Sequence, residues 1–110
     1  MEFIILDNES KYKKLTLQHN NKVVGRISVY FIKNDLHQQP YALLEDLYVE
    51  KEYRGQGFGK QLLTKALELA KEENCYKVIG TSRYQREKVH QFYQKFGFKD
   101  YGKEFRLDIE

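Results

Sequence analysis

Arg54-Gly55-Gln56-Gly57-Phe58-Gly59-Lys60 is the stretch whose reading decides this 110-residue chain. Before it, Leu43-Leu44-Glu45-Asp46-Leu47-Tyr48-Val49 reads as a strand. After it, Leu62, Leu63, Ala66, Leu67 and Ala70 recur at helical spacing. A glycine-rich turn that opens a helix exposes several unpaired backbone N–H groups at the positive end of the helix dipole, and such a turn is suited to phosphate groups. Gly55, Gly57 and Gly59 carry no side chains that would hold a diphosphate away from those amides. Gln56, Phe58 and Lys60 supply the remaining N–H groups, and Arg54 adds a fixed positive charge. The stretch predicts a site for a phosphate-bearing cofactor.

Working outward, Lys14 to His19 and Lys22 to Ile32 read as a hairpin, with Asn20-Asn21 as a turn that accepts positive φ. In its second arm the alternation places Val23, Gly25, Ile27, Val29 and Phe31 on one face, and Gly25 marks a bulge. The polar run Lys33 to Gln39, closed by Pro40, is a loop. Tyr41 to Val49 is a strand whose nearly all-apolar first half suits a central place in a sheet. The helix after the glycine turn spans about Gly59 to Glu73, with Asn74 as its left-handed terminator. Tyr76 to Thr81 is a further strand and Arg86 to Phe96 a second helix, ended by Gly97. Phe3–Leu6 predicts a short first strand, and Phe98 with Phe105 to Ile109 a closing hairpin. The whole is read as one α/β domain over residues 1–110 with a mixed sheet.

Composition narrows the classes. Hydrophobic residues are 41% and aromatics 15%, which supports a packed interior rather than disorder. The net charge of +3 suits a small anionic ligand as well as nucleic acid, and nothing else points to nucleic acid. The single Cys75 excludes an internal disulfide and fits a reducing cytoplasm, the expected location. The N-terminal apolar run is only four residues long, which is neither a signal peptide nor a membrane span. His19, His37 and His90 show no metal-site spacing, so no metal is expected.

Arg54-x-x-Gly57-x-Gly59 after Leu47-Tyr48-Val49 resembles the acetyl-CoA-binding motif of the GNAT family of N-acetyltransferases. His90-Gln91-Phe92-Tyr93-Gln94-Lys95-Phe96-Gly97-Phe98 resembles the family's second hallmark, a helix carrying Phe-Tyr-x-Lys-x-Gly-Phe. The resemblance runs from about residue 14 to the C-terminus. It implies the family's fold, a mostly antiparallel sheet with a cofactor-binding helix and a C-terminal helix. Two departures stand out. Arg86 occupies a position where the family commonly has Asn, which helps hold the cofactor, and Val89 stands where Ala is usual. The family's pair of helices between its first and second strands is missing, which leaves the acceptor site open or completed by a second subunit.

The resemblance assigns roles. The backbone of Leu47, Tyr48 and Val49 would pair with the pantetheine arm and offer an N–H to the thioester carbonyl. Arg54 and the amides from Gly55 to Lys60 would hold the diphosphate, with Arg86 as a further cofactor contact. Tyr93 would protonate the departing thiolate. Leu44-Glu45-Asp46-Leu47-Tyr48-Val49 is similar to a stretch of the diamine and polyamine acetyltransferases. That raises Glu45 as the residue that binds the amine and relays its proton, although either carboxylate could instead pair with a neighbouring Arg. The expected activity is direct acetyl transfer from acetyl-CoA to a primary amine, on a small molecule, a polyamine or a protein, in a chain expected to form a homodimer. The alternative is a non-catalytic acyl-CoA-binding or regulatory module on the same fold.

Overall fold

The computed structural model describes residues 1–110, in two compact units: Met1–Ile79 and Gly80–Glu110. The first holds strands β1 (Tyr12–His19), β2 (Lys22–Ile32) and β3 (Tyr41–Val49), then helix α1 (Phe58–Glu72). Strand β4 (Val78–Gly80) falls at the boundary, with Gly80 counted in the second unit, which also holds helix α2 (Glu87–Lys95). The sheet order is β1-β2-β3-β4, with β1, β2 and β3 successively antiparallel. Bonds from Tyr76 N to Pro40 O (3.1 Å) and from Ala42 N to Lys77 O (3.0 Å) advance in the same direction along both chains, so β4 joins β3 in parallel. No helix is long and apolar enough to cross a membrane, and no cluster of acidic, His and Cys side chains is placed to hold a metal ion.

The hairpin forms where the alternation and the Asn pair predict it. Asn20 and Asn21 have φ of 52° and 63°, the two positive values that a tight hairpin turn requires. The core lies between one sheet face and α1. Ile27, Val29 and Phe31 of β2 and Ala42 and Leu44 of β3 are buried against Leu62, Leu63, Ala66, Leu69 and Ala70 of the helix. These helix positions follow the three-to-four spacing of a single stripe. At its C-terminus Asn74 takes φ 58°, Cys75 N bonds Ala70 O at 3.0 Å and Asn74 N bonds Lys71 O at 3.0 Å. That paired closure satisfies the last carbonyls and ends the helix.

Two bulges reset the alternation. On β2, Gln18 pairs with Val23 while Leu17 pairs with Gly25, so Val24 is the extra residue. Val24 is therefore fully buried and Val23 is 52% exposed, the reverse of the alternation expected for that end of the strand. Gly25 sits beside the bulge and serves a different purpose. A Cβ there would lie 2.8 Å from Leu62 Cδ1 and 2.9 Å from Tyr48 O. On β3, Arg26 pairs with Tyr48 but Ser28 with Glu45, so two residues oppose Ile27. Asp46 takes φ 57° to make that bulge, a conformation Asp tolerates better than most residues.

The expected first strand at Phe3–Leu6 and the closing hairpin at Phe105–Ile109 do not form. Phe3, Ile4, Ile5 and Leu6 and, at the other end, Phe105, Leu107 and Ile109 are all more than three-quarters exposed. Alternating apolar residues make a strand only where another strand and an apolar face receive them. The strand expected over Tyr76–Thr81 shortens to three residues. No helix lies between residue 1 and β2.

The tight approach at Gly25 yields a test. Gly25→Ala forces apart α1 and β2 or shifts the Tyr48 carbonyl, and overpacking of this kind costs about 1–3 kcal/mol. At about 4–8 °C per kcal/mol for a small domain, thermal unfolding of Gly25→Ala should show a midpoint lower by 4 °C or more. An unchanged midpoint would show that the helix does not rest on that glycine.

Candidate functional site

The turn between β3 and α1 is built around two left-handed glycines, Gly55 (φ 80°) and Gly57 (φ 86°). A short 3-10 turn at Lys51–Tyr53 follows β3, and Gly57 is the N-terminal flank of α1 with no side chain capping it. The first helical bond runs from Gln61 N to Gly57 O at 3.1 Å. The N–H groups of residues 55 to 60 therefore donate to no protein acceptor. Gly55, Gln56 and Gly57 are exposed, while Phe58 is buried and anchors the turn, its ring 5.2 Å from that of His19 and 6.3 Å from that of Tyr53. A row of free donors at a helix N-terminus, on a turn fixed by a buried ring, has the geometry and the partial positive charge that suit an anion.

Arg54 is tied to this turn from behind. Its Nε donates to Val49 O at 2.8 Å, and its guanidinium lies 5.2 Å from the Tyr48 ring centroid. The two terminal nitrogens of Arg54 make no hydrogen bond within the protein. Leu47, Tyr48 and Val49 form the half of β3 beyond the bulge. The three-residue β4 runs alongside the other half, so these residues have an open edge on the side away from β2.

The structure separates the two adjacent carboxylates. Asp46 is taken by Arg26, with Arg26 Nε to Asp46 Oδ2 at 2.6 Å and Nη2 to Oδ1 at 3.2 Å. The hydrogen bond from Arg26 holds the Asp46 carboxyl below the usual Asp value, against desolvation in the other direction and with help from the charges of Arg26 and Lys14. Glu45 has no hydrogen bond or ion pair, is exposed, and lies on the sheet face away from α1 opposite Ser28. Of the pair, only Glu45 is without a partner.

In the second unit Arg86 is the N-terminal flank of α2, and its carbonyl accepts from Val89 N (3.1 Å) and His90 N (3.2 Å). Tyr93 is half-buried on α2, its ring 5.9 Å from Phe92 and 5.1 Å from Phe98. A Cβ on Gly80 would come within 3.0 Å of Tyr93 Cε1, so glycine at 80 makes room for that ring. Gly97, at φ 95°, ends the segment, and Phe98 N returns to Tyr93 O at 3.2 Å.

The structure thus gathers Arg54, the amides of 55–60 and the open edge of Leu47–Val49 in one place. The sequence allowed an Arg partner for either carboxylate but did not single out Arg26, which claims Asp46 and lies 4.6 Å from the Tyr48 ring. Its signal was available in the phase of β2, where an even-numbered Arg faces the side opposite the core. Sequence reasoning also missed the closeness of His19 to the turn, which depends on the bulge at Val24 and has no local signature.

Residues 2–98 match the family model described as the acetyltransferase (GNAT) family. The chain is 41% identical over 66 residues to glucosamine 6-phosphate N-acetyltransferase of Trypanosoma brucei brucei, covering 60% of this chain and 43% of that protein. It is 36% identical over 99 residues to streptothricin acetyltransferase A of Bacillus subtilis (strain 168), covering 89% of this chain and 53% of that protein. Among solved structures, an acetyltransferase of Trypanosoma brucei superposes with a TM-score of 0.80 at 32% identity, covering 89% of this chain and 69% of that chain. The chain spans about half the length of the two curated relatives, 43% and 53%.

The Arg26–Asp46 pair sets a pH dependence. Because the folded-state value of Asp46 is depressed, its contribution to stability is present in full above the ordinary Asp value of 3.8. It is lost as pH falls through the lower folded value. A carbon-detected NMR titration of the Asp46 carboxyl should give a midpoint below 3.8, moving upward in Arg26→Gln. A midpoint that is the same in both proteins would exclude the ion pair as its cause.

Proposed function

Because the chain belongs to the acetyltransferase (GNAT) family, we propose that it is an acetyl-CoA-dependent N-acetyltransferase that moves an acetyl group directly to a primary amine. One observation carries the reading: six consecutive backbone N–H groups, residues 55 to 60, that donate to nothing in the protein. These fit a diphosphate, which has more acceptor oxygens than a few side chains could satisfy, and the unused nitrogens of Arg54 add charge beside them. Bound acetyl-CoA supplies the activated acetyl carbon and a thiolate leaving group.

The chain's own residues divide the remaining work. The open edge of Leu47–Val49 can take an extended amide-bearing arm as an added strand, and an N–H there can face the thioester carbonyl. One such preorganised donor contributes about 2.7–4 kcal/mol to lowering a barrier of this kind. The amine must be neutral to attack. An alkylammonium of pKa about 10.4 costs about 4.6 kcal/mol to deprotonate at pH 7, at 1.36 kcal/mol per unit. Glu45 binds the cation and passes its proton to water. As the new C–N bond forms and the C–S bond breaks, the phenol of Tyr93 would give its proton to the departing sulfur, and the proton shed by the acylated nitrogen would pass to solvent, from which the phenol is restored. The Tyr93 role rests on its place in the family's Phe-Tyr-x-Lys-x-Gly-Phe helix, and Arg86 is a further cofactor contact by the same argument.

Acetyl-CoA at about 100 times its dissociation constant should stabilise the fold by about 2.7 kcal/mol. A thermal scan should show the midpoint rising by several degrees, and the rise should shrink or vanish in Arg54→Ala. No shift in a folded protein would remove the cofactor site and the reading with it. Tyr93→Phe should keep the shift but lower turnover at least tenfold; unchanged turnover would remove the phenol from the reaction. Binding of acetyl-CoA without transfer to any of a broad set of amines would instead identify a non-catalytic module.

A further inference from the structure

The face of the sheet away from α1 carries a groove of about 380 Å³ lined by Ser10, Tyr30, Ile32, Leu43 and Glu45. That volume is within the range of small-molecule sites, about 300–1,000 Å³. The register explains how it arises. Tyr30 pairs with Leu43, and one rung along the same face Ser28 pairs with Glu45. A carboxylate therefore stands at one end of an aromatic and aliphatic wall, two residues or about 6.5–7 Å from the next side chain on its own strand.

We infer that this groove receives the acceptor, and that the acceptor is a primary amine with a single positive charge and an apolar, preferably aromatic, body. The inference rests on the reading of the chain as an N-acetyltransferase and narrows its substrate class. Three observations carry it. Glu45 is the groove's one carboxylate and has no partner, so it can neutralise one ammonium group. The adjacent carboxylate, Asp46, already has its charge balanced by the two-pronged contact with Arg26. The Tyr30 ring is held by stacking on Tyr12, with centroids 4.6 Å apart and planes 14° apart, which gives the wall a fixed aromatic surface.

The same inventory works against the other amines. A polyamine would place its second ammonium beside Ile32 and Leu43, where the groove offers no second carboxylate to balance the charge. An amino sugar phosphate needs a cation for its phosphate and hydrogen-bond partners for its hydroxyls, and no Lys or Arg lines the groove. An arylalkylamine matches the sequence of surfaces: charge at Glu45, then a short arm, then a ring against Tyr30 and Leu43. This sets the chain apart from the relative whose name gives glucosamine 6-phosphate as its acceptor.

The test uses the full chain with saturating acetyl-CoA and follows release of the free thiol with three acceptors: 2-phenylethylamine, spermidine and glucosamine 6-phosphate. The expected result is a kcat/KM for 2-phenylethylamine at least tenfold above the other two. Ile32→Lys, which puts a like charge in the groove, should lower that value at least tenfold through KM while leaving the thermal shift by acetyl-CoA intact. Faster transfer to spermidine or glucosamine 6-phosphate overturns the acceptor assignment and leaves the transferase reading standing. If acetyl-CoA binds and no amine is acetylated, the transferase reading falls, and titration calorimetry with 2-phenylethylamine then decides the groove. Binding that is lost in both Ile32→Lys and Glu45→Gln supports the site, and absence of binding overturns it.

Discussion

The contact between Leu62 and the bare Cα of Gly25 is the constraint on which the rest of the first unit depends. Helix α1 lies so close to β2 there that a single methyl group would meet both the Leu62 side chain and the Tyr48 carbonyl. Leu62 belongs to the second turn of the helix, so this contact fixes where the first turn falls. It must begin just past Val49, and the chain has only residues 50 to 57 in which to reverse and start the helix. Two left-handed glycines make that reversal possible, and buried Phe58 locks its far end. The row of free N–H groups is thus a by-product of a packing requirement, held in position by the core.

The bulge at Asp46 does comparable work along β3. Ala42 and Leu44 face the core, while Glu45 and Tyr48, three residues apart, both face away from it. Without an extra residue, strand alternation would turn one of those two inward. Asp46 makes the bulge through its positive φ and then fastens it with Arg26, whose guanidinium also lies over Tyr48. The neighbouring Glu45 is left free by the same arrangement. One residue shapes the strand and the one before it keeps its carboxylate unpaired.

Much of this was legible in the residues. The alternation in β2 and the apolar first half of β3 gave both strands their bounds, and the Asn pair gave the hairpin. The glycine turn announced both the start of α1 and the open amides before it, because the reasons for glycine there are local. What escaped was cooperative. Which of Val23 and Val24 points inward depends on a bulge that only the pairing with β1 decides. Which of Glu45 and Asp46 is free depends on Arg26, twenty residues away in sequence. The apolar runs at Phe3–Leu6 and Phe105–Ile109 have the composition of strands, but composition cannot supply the neighbour that would turn them into one. The groove at Tyr30 and Glu45 was hidden for the same reason, since it exists only once β2 and β3 are in register.

Helix α1 begins without a capping side chain, although position 57 would accept Asn or Asp, the two residues besides glycine that best tolerate its left-handed backbone. A side-chain cap typically adds about 1 kcal/mol to a helix. The chain forgoes that gain, and the donors a cap would have consumed stay open to the solvent. Closing this turn with a side chain would therefore trade open backbone donors for a steadier helix start.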